Sequence, residues 1–128
     1  VSRTHHLLVI DDEPFIGRIV RLEFENGPYE VSVTLTGDDG LAFLRAHPDV
    51  ELVLLDLNLP DRPGLEVLED AREDPRLRAI PFVVLTAAGQ AAYVDQARAL
   101  GAAAFITKPF SPMKLQRRIA AILGEEPS

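Results

Sequence analysis

The run Leu52-Val53-Leu54-Leu55 constrains the fold more than any other stretch, because it leaves no face for solvent. Alternating polarity would mark a strand with one wet side. Four apolar residues in succession mark a short strand covered on both faces, as in parallel sheets flanked by helices. A single carboxylate, Asp56, follows at the carboxyl end, and Leu57-Asn58-Leu59-Pro60 leads out in a turn. Reactive groups in open α/β sheets gather at those carboxyl ends. Asp56 is therefore the candidate reactive residue.

The rest of the chain repeats this pattern. Leu7 to Ile10 is a second continuous apolar run, tipped by Asp11-Asp12-Glu13, and Pro14 suits the first turn of the helix that follows. Phe15, Ile19 and Leu22 recur there at helical spacing, with Ile16 and Val20 widening the apolar face. Asn26-Gly27-Pro28 stops that helix. Tyr29 to Leu35 alternates and predicts a strand near a sheet edge. Thr36 to Gly40 reads as a turn, and Leu41 to Ala46 as a short helix ended by His47-Pro48-Asp49. After Asp56 a helix is expected from about Gly64 to Glu73, with Leu65 and Leu68 inward and Asp74-Pro75 as its breaker. Phe82 to Leu85 is a strand tipped by Thr86; Gln90 to Leu100 is an Ala-rich helix closed by Gly101. Ala103 to Ile106 is a last strand, tipped by Thr107-Lys108-Pro109-Phe110. Ser111 caps a final helix with Pro112 first and Leu115, Ile119 and Ile122 inward.

Five strand–helix alternations predict one α/β domain, a parallel sheet with helices on both faces. At 128 residues the chain reads as a single domain with its core at about residues 7–123, a short lead-in before it, and a polar tail from Gly124 that is an end or the start of a linker. The net charge of −7 argues against nucleic acid and anionic membrane as partners. The absence of cysteine excludes disulfides, thiolate metal sites and a Cys nucleophile. With no long apolar run and no signal-peptide core, the expected location is the cytoplasm. His5, His6 and His47 fall at expected exposed ends without metal spacing and receive no role.

Asp11, Asp12, Asp56, Thr86 and Lys108 collect at one end of such a sheet. Carboxylates about 4 Å apart at an effective dielectric near 20 repel by roughly 4 kcal/mol per pair, so the group calls for a cation or a proton. Oxygen donors without His or Cys favour Mg²⁺, which binds a few carboxylates, waters and phosphate oxygens. That combination points to phosphoryl transfer, with Asp56 as nucleophile, Lys108 as a point charge and Thr86 as a hydroxyl donor to the phosphoryl oxygens.

These residues carry a family resemblance. Val9-Ile10-Asp11-Asp12-Glu13, Leu54 to Pro60 with Gly64, Leu85-Thr86-Ala87, Gly101-Ala102 and Lys108-Pro109-Phe110 stand in the order and separations of the receiver domain of two-component response regulators. Each motif alone is weak; five in sequence are specific. The resemblance covers nearly the whole chain and implies the flavodoxin-like strand order 2-1-3-4-5, which periodicity does not provide. It implies Asp56 as phosphoacceptor, and Asp11, Asp12, Asp56 and the backbone carbonyl of Asn58 as Mg²⁺ ligands. Lys108 would contact the phosphoryl group, with a cis bond to Pro109. Thr86 and Phe105 would be the switch pair that alters the face of the fourth helix, fifth strand and fifth helix. A histidine kinase or histidine phosphotransfer protein would be the donor, and an output domain or effector the receiver of the signal. Such a domain catalyses only its own phosphorylation and dephosphorylation.

Several positions depart from the family pattern. Phe105 replaces a frequent Tyr, and Pro63 a frequent Asp or Asn before Gly64. Ala88 is too small to steer a hydrolytic water, whereas Asn58 is not, so the phosphoryl lifetime is expected to be set in part at these two positions. Ala102-Ala103-Ala104 lacks the acids that pair some members, which favours a monomer or a weak phosphorylation-dependent dimer. Lys114, Arg117 and Arg118 read as a solvated face. Leu57 and Leu59 suit loop packing or kinase docking equally. The stretch Asp74 to Pro81 leans away from transcription-factor receivers. The alternative reading is a phosphate-independent pseudo-receiver. A phosphohydrolase would need an Asp-x-Asp pattern and a cap domain, and a flavodoxin a hydroxyl- and glycine-rich phosphate loop that Asp11-Asp12-Glu13 replaces.

Overall fold

The structure, a computed structural model, describes residues 4–87 and 90–124; the expectations for Val1 to Arg3, Ala88 and residues 125–128 lie outside the described residues. Strands and helices alternate as β1 (His5–Ile10), α1 (Pro14–Phe24), β2 (Tyr29–Thr34), α2 (Gly37–Ala46), β3 (Val50–Asp56), α3 (Gly64–Glu73), β4 (Phe82–Thr86), α4 (Ala91–Ala99), β5 (Ala104–Thr107) and α5 (Pro112–Ile122). All strand pairs are parallel and the sheet order is β2-β1-β3-β4-β5. The expected receiver-type, flavodoxin-like architecture is present.

Strand alternation divides the core in two. Leu8, Ile10, Val53, Leu55 and Val84 face α2, α3 and α4, while Leu7, Val9, Leu52, Leu54 and Leu85 face α1 and α5. Leu52 to Leu55 are wholly buried, which accounts for their unbroken apolar character. The sheet order reverses beside β1 and β3, so the tips of those strands open a crevice.

Local departures have physical causes. α2 begins at Gly37, four residues earlier than the apolar pattern suggests, because Thr36 Oγ accepts the Asp39 N–H at 3.1 Å. The Asp61 carboxylate also accepts the N–H groups of Gly37 and Asp38, each at 2.9 Å. These two backbone donors lower the Asp61 pKa. On α1 the buried stripe is Ile16, Gly17, Val20 and Phe24, whereas Phe15 and Leu22 are exposed. On α3, Val67, Leu68 and Ala71 are buried and Leu65 is only half-buried. Leu57 is buried in the core and Leu59 packs against it, which supports loop packing for both. Gly101 closes α4 with φ +83°, a conformation that favours glycine.

The histidines depart most. β1 starts at His5, not Leu7, and His5 and His6 are only 4% and 5% exposed, so neither lies at an exposed end. His5 Nδ1 meets Glu51 Oε2 at 2.5 Å and His6 Nδ1 meets Asp49 Oδ2 at 2.7 Å. His47 stacks on Phe43 with ring centroids 3.9 Å apart.

Arg72 organises the opposite end of the molecule from the strand tips. Its guanidinium donates to the carbonyls of Leu100, Arg78, Ile80 and Gly101 at 2.8–3.1 Å and lies over the Phe82 ring at 5.3 Å. One planar fork thus ties α3 to the β4 entrance and the α4–β5 turn. Arg72→Met is expected to lower unfolding free energy by about 2 kcal/mol, since the carbonyls lose a charged donor. Urea unfolding checks this, and an unchanged midpoint would contradict it.

Candidate functional site

The carboxyl ends of β1, β3, β4 and β5 each contribute one part of the site. β1 delivers Asp11, whose Oδ1 accepts the Glu13 N–H at 2.9 Å and so shapes the turn into α1. Asp11 is fully buried, Asp12 is exposed, and Asp56 at the end of β3 is 5% exposed. Carboxylate oxygens of these three residues lie within 4.8 Å of one another. Asp56 Oδ1 accepts the Asn58 N–H at 3.2 Å, and Asn58 bridges to Pro63, which closes the turn beneath it. Pro63 leaves the start of α3 without a side-chain cap.

Lys108 reaches into this cluster from the loop after β5. Its Nζ lies 2.8 Å from Asp11 Oδ2, 3.0 Å from Glu13 Oε1 and 3.5 Å from Asp56 Oδ2. The backbone supports it, with the Lys108 N–H donating to the Thr86 carbonyl at 2.7 Å, and the bond to Pro109 is cis. Burial alone would lower the Lys108 pKa. The close contacts with Asp11 and Glu13 and the charges of Asp11 and Asp56 outweigh it and raise the value. The Glu13 contact is absent from the sequence reading; the turn at Asp11 and the reach of a long side chain create it.

Asp56 titrates far from its ordinary range. Burial is the largest cause and the Asp11 charge the next; against the Asn58 N–H and Lys108 they raise its pKa from 3.8 to about 6. A carboxyl with a higher pKa when folded binds more protons in the folded state between those two values. Stability therefore falls as pH rises through that window, and the penalty is complete above about 6. Asp56→Asn removes it. The variant is expected to exceed wild type by about 1–3 kcal/mol at pH 7.5, with the gain shrinking as pH falls from 6 toward 4. Urea titrations across that range check this; an advantage that persists at pH 4 would contradict it.

The donor set fits a hard dication. All ligating atoms are oxygens, and the buried Asp11 Oδ2 has the Lys108 charge beside it but no aligned hydrogen-bond donor. The family resemblance predicts Mg²⁺ at a cluster of this kind.

Thr86, at the end of β4, is buried, and Phe105 is half-buried on β5. Phe105 pairs in register with Val84, two residues before Thr86, so the two switch candidates are diagonal neighbours on one face of the sheet. The Arg98 guanidinium lies 5.2 Å from the Phe105 ring centroid, a contact the sequence did not indicate. A groove beside Asp12 is lined by Leu59, Pro63, Leu65, Gln90 and Tyr93. Lys114, Arg117 and Arg118 are exposed on α5, as expected.

A parallel five-stranded sheet with a carboxylate cluster and a lysine at its switch-point crevice defines a class of flavodoxin-like α/β domain with an acidic site at its strand ends. The chain belongs to the response regulator receiver domain family, whose match spans residues 7–120. It is 38% identical over 118 residues to the transcriptional regulatory protein ResD of Bacillus subtilis, a match covering 91% of this chain and 47% of that protein. It is 32% identical over 119 residues to the chemotaxis protein CheY1 of Helicobacter pylori, covering 92% and 96% respectively. The crystal structure of the phosphorylated cyanobacterial phytochrome response regulator RcpA superposes with a TM-score of 0.80 at 29% identity, covering 93% of this chain and 91% of that one. The chain spans about half the length of the first curated relatives it matches, such as ResD.

The chain is thus a receiver domain of the kind found in two-component systems. The triad Asp11, Asp12 and Asp56 is consistent with a phosphorylation site. Among the described residues, no helix is long and apolar enough to cross a membrane.

Proposed function

We propose that Asp56 accepts a phosphoryl group from a phosphohistidine donor, a histidine kinase or histidine phosphotransfer protein. The observation that carries this is the convergence of Lys108 Nζ on Asp11, Glu13 and Asp56 within 3.5 Å, beside an all-oxygen cluster. A carboxylate oxygen of Asp56 attacks phosphorus as the phosphorus–nitrogen bond breaks, and the departing imidazole takes up a proton. Asp11, Asp12, Asp56 and the Asn58 carbonyl would hold Mg²⁺, which would neutralise charge on the transferring group.

The chain's own residues prepare this step. Asn58 N–H fixes one Asp56 oxygen, and burial keeps water from competing for the other. Lys108 exchanges its contact with the half-exposed Glu13 for the incoming phosphoryl oxygens; an ion pair this exposed releases readily. With the Asp56 pKa near 6, the nucleophile is ionised at neutral pH and increasingly protonated below it. The Thr86 hydroxyl then turns toward the phosphoryl group, and the Phe105 ring moves inward and leaves Arg98. That repacks the face of α4, β5 and α5 for another partner, a population shift driven by local charge. Asn58 and Ala88 tune the lifetime of the adduct. The chain acts as one receiver unit with its core at about residues 7–123, as a monomer or weak phosphorylation-dependent dimer, and catalyses only its own modification and its reversal.

Borohydride reduction tests the acceptor directly. It converts an aspartyl phosphate to homoserine, which peptide mass spectrometry locates. Homoserine at position 56 after treatment with a small-molecule phosphodonor and Mg²⁺ is the expected result. Homoserine at Asp11 or Asp12, or at no position, would overturn the assignment.

A further inference from the structure

The end of the sheet remote from Asp56 carries a second polar cluster, assembled from parts of the chain that sequence spacing does not connect. His6 stands on β1, and its register partner on β2 is Glu30. Asp49 precedes Val50, the register partner of His6 on β3. His6 Nδ1 therefore faces two carboxylates, Asp49 Oδ2 at 2.7 Å and Glu30 Oε2 at 3.7 Å. One atom from each of the three residues lies within 4.8 Å of the others.

The imidazole is built into the fold. Its side chain is 6% exposed, it packs edge-on against Phe43, and its Nε2 lies 2.7 Å from Ser32 Oγ. Ser32 is two residues beyond Glu30, on the same face of β2. In the metal-free protein Nδ1–H donates to Asp49 Oδ2; loss of that proton to an ion, with Nε2–H then donating to Ser32 Oγ, would leave the Nδ1 lone pair facing both carboxylates. Metal-bound histidines use this arrangement, with the far ring nitrogen held by a hydrogen bond that fixes tautomer and orientation. A single Nδ1 proton can join only one carboxylate, whereas a dication can engage both. The Asp49 and Glu30 side chains are 62% and 59% exposed, which leaves an entry path and freedom to close on an ion.

We propose that His6, Asp49 and Glu30 form a binding site for one divalent transition-metal ion of the Zn²⁺ type. One imidazole nitrogen and two carboxylate oxygens are donor types that zinc takes, and three protein ligands leave a fourth position open to water. The nitrogen separates this site from the all-oxygen acid cluster, which suits Mg²⁺. The two sites lie at opposite ends of β1, about 16 Å apart for five residues of strand. Bound metal would clamp the edge strand β2 to β1 and to the entrance of β3.

The test is a Zn²⁺ titration of the full 128-residue chain by calorimetry, with Mg²⁺ in large excess to occupy the acid cluster. One equivalent is expected to bind and to raise the melting temperature. Asp49→Asn and Glu30→Gln alter exposed side chains, preserve the fold, and are each expected to weaken binding by at least ~10-fold. His6→Gln is expected to abolish it, and the Nδ1 resonance of His6 to shift in ¹⁵N NMR on addition of Zn²⁺. No binding to the wild type, binding displaced by Mg²⁺, or one equivalent with unchanged affinity in both carboxylate variants would overturn the proposal.

Discussion

Lys108→Ala is expected to slow phosphorylation from a small-molecule donor by roughly 10²–10³-fold, the usual loss when one positioned charge is removed from a transfer site. Lys108 is the only cation the structure places within 3.5 Å of Asp56 among the described residues. It also offsets part of the repulsion that raises the Asp56 pKa, so in the metal-free variant that pKa should rise further. Lys108→Arg keeps the charge but not its compact shape, and partial recovery is expected. Initial rates by intact mass at saturating Mg²⁺ measure both rate effects. A Lys108→Ala rate within twofold of wild type would remove Lys108 from the transfer step.

Gly64→Ala is expected to destabilise the fold by about 3 kcal/mol or more and to weaken Mg²⁺ binding. A Cβ at position 64 would stand 2.3 Å from the Asp56 carbonyl oxygen and 2.7 Å from Leu57 Cα, both backbone atoms with little freedom to move. The Gly64 N–H also donates to the Leu57 carbonyl at 2.9 Å, so helix and strand end are locked together here. Pushing α3 away would displace Asp56 and the Asn58 turn in one motion. Urea unfolding and a Mg²⁺ titration test this, and wild-type values for both would show that the turn relaxes freely.

The fold was legible because burial on both faces writes itself as continuous apolar runs. Leu52 to Leu55 and Phe82 to Leu85 were readable for that reason, and Asp11, Asp56, Thr86 and Lys108 were readable as the polar residues that end such runs. The strand order needed the family resemblance, since periodicity does not say which strands are neighbours. What escaped depends on partners distant in sequence. His5 and His6 look like a polar lead-in until Glu51, Asp49 and Ser32 receive them across the sheet. α2 starts early because Asp61, more than twenty positions away, supplies a carboxylate to its first N–H groups. On α1, Phe15 and Leu22 fit the helical period but lie off the stripe, because α1 docks through Ile16, Val20 and Phe24. Glu13 and Arg98 join the site region by side-chain reach, which no spacing rule encodes.

The measurement that tests the central claim most directly is intact mass after incubation with a small-molecule phosphodonor, with and without Mg²⁺, for wild type and Asp56→Asn. One phosphoryl adduct that requires Mg²⁺ and is absent from the variant is the predicted result. A folded wild-type protein that takes up no phosphoryl group, or an Asp56→Asn variant that takes up one equally well, would contradict it.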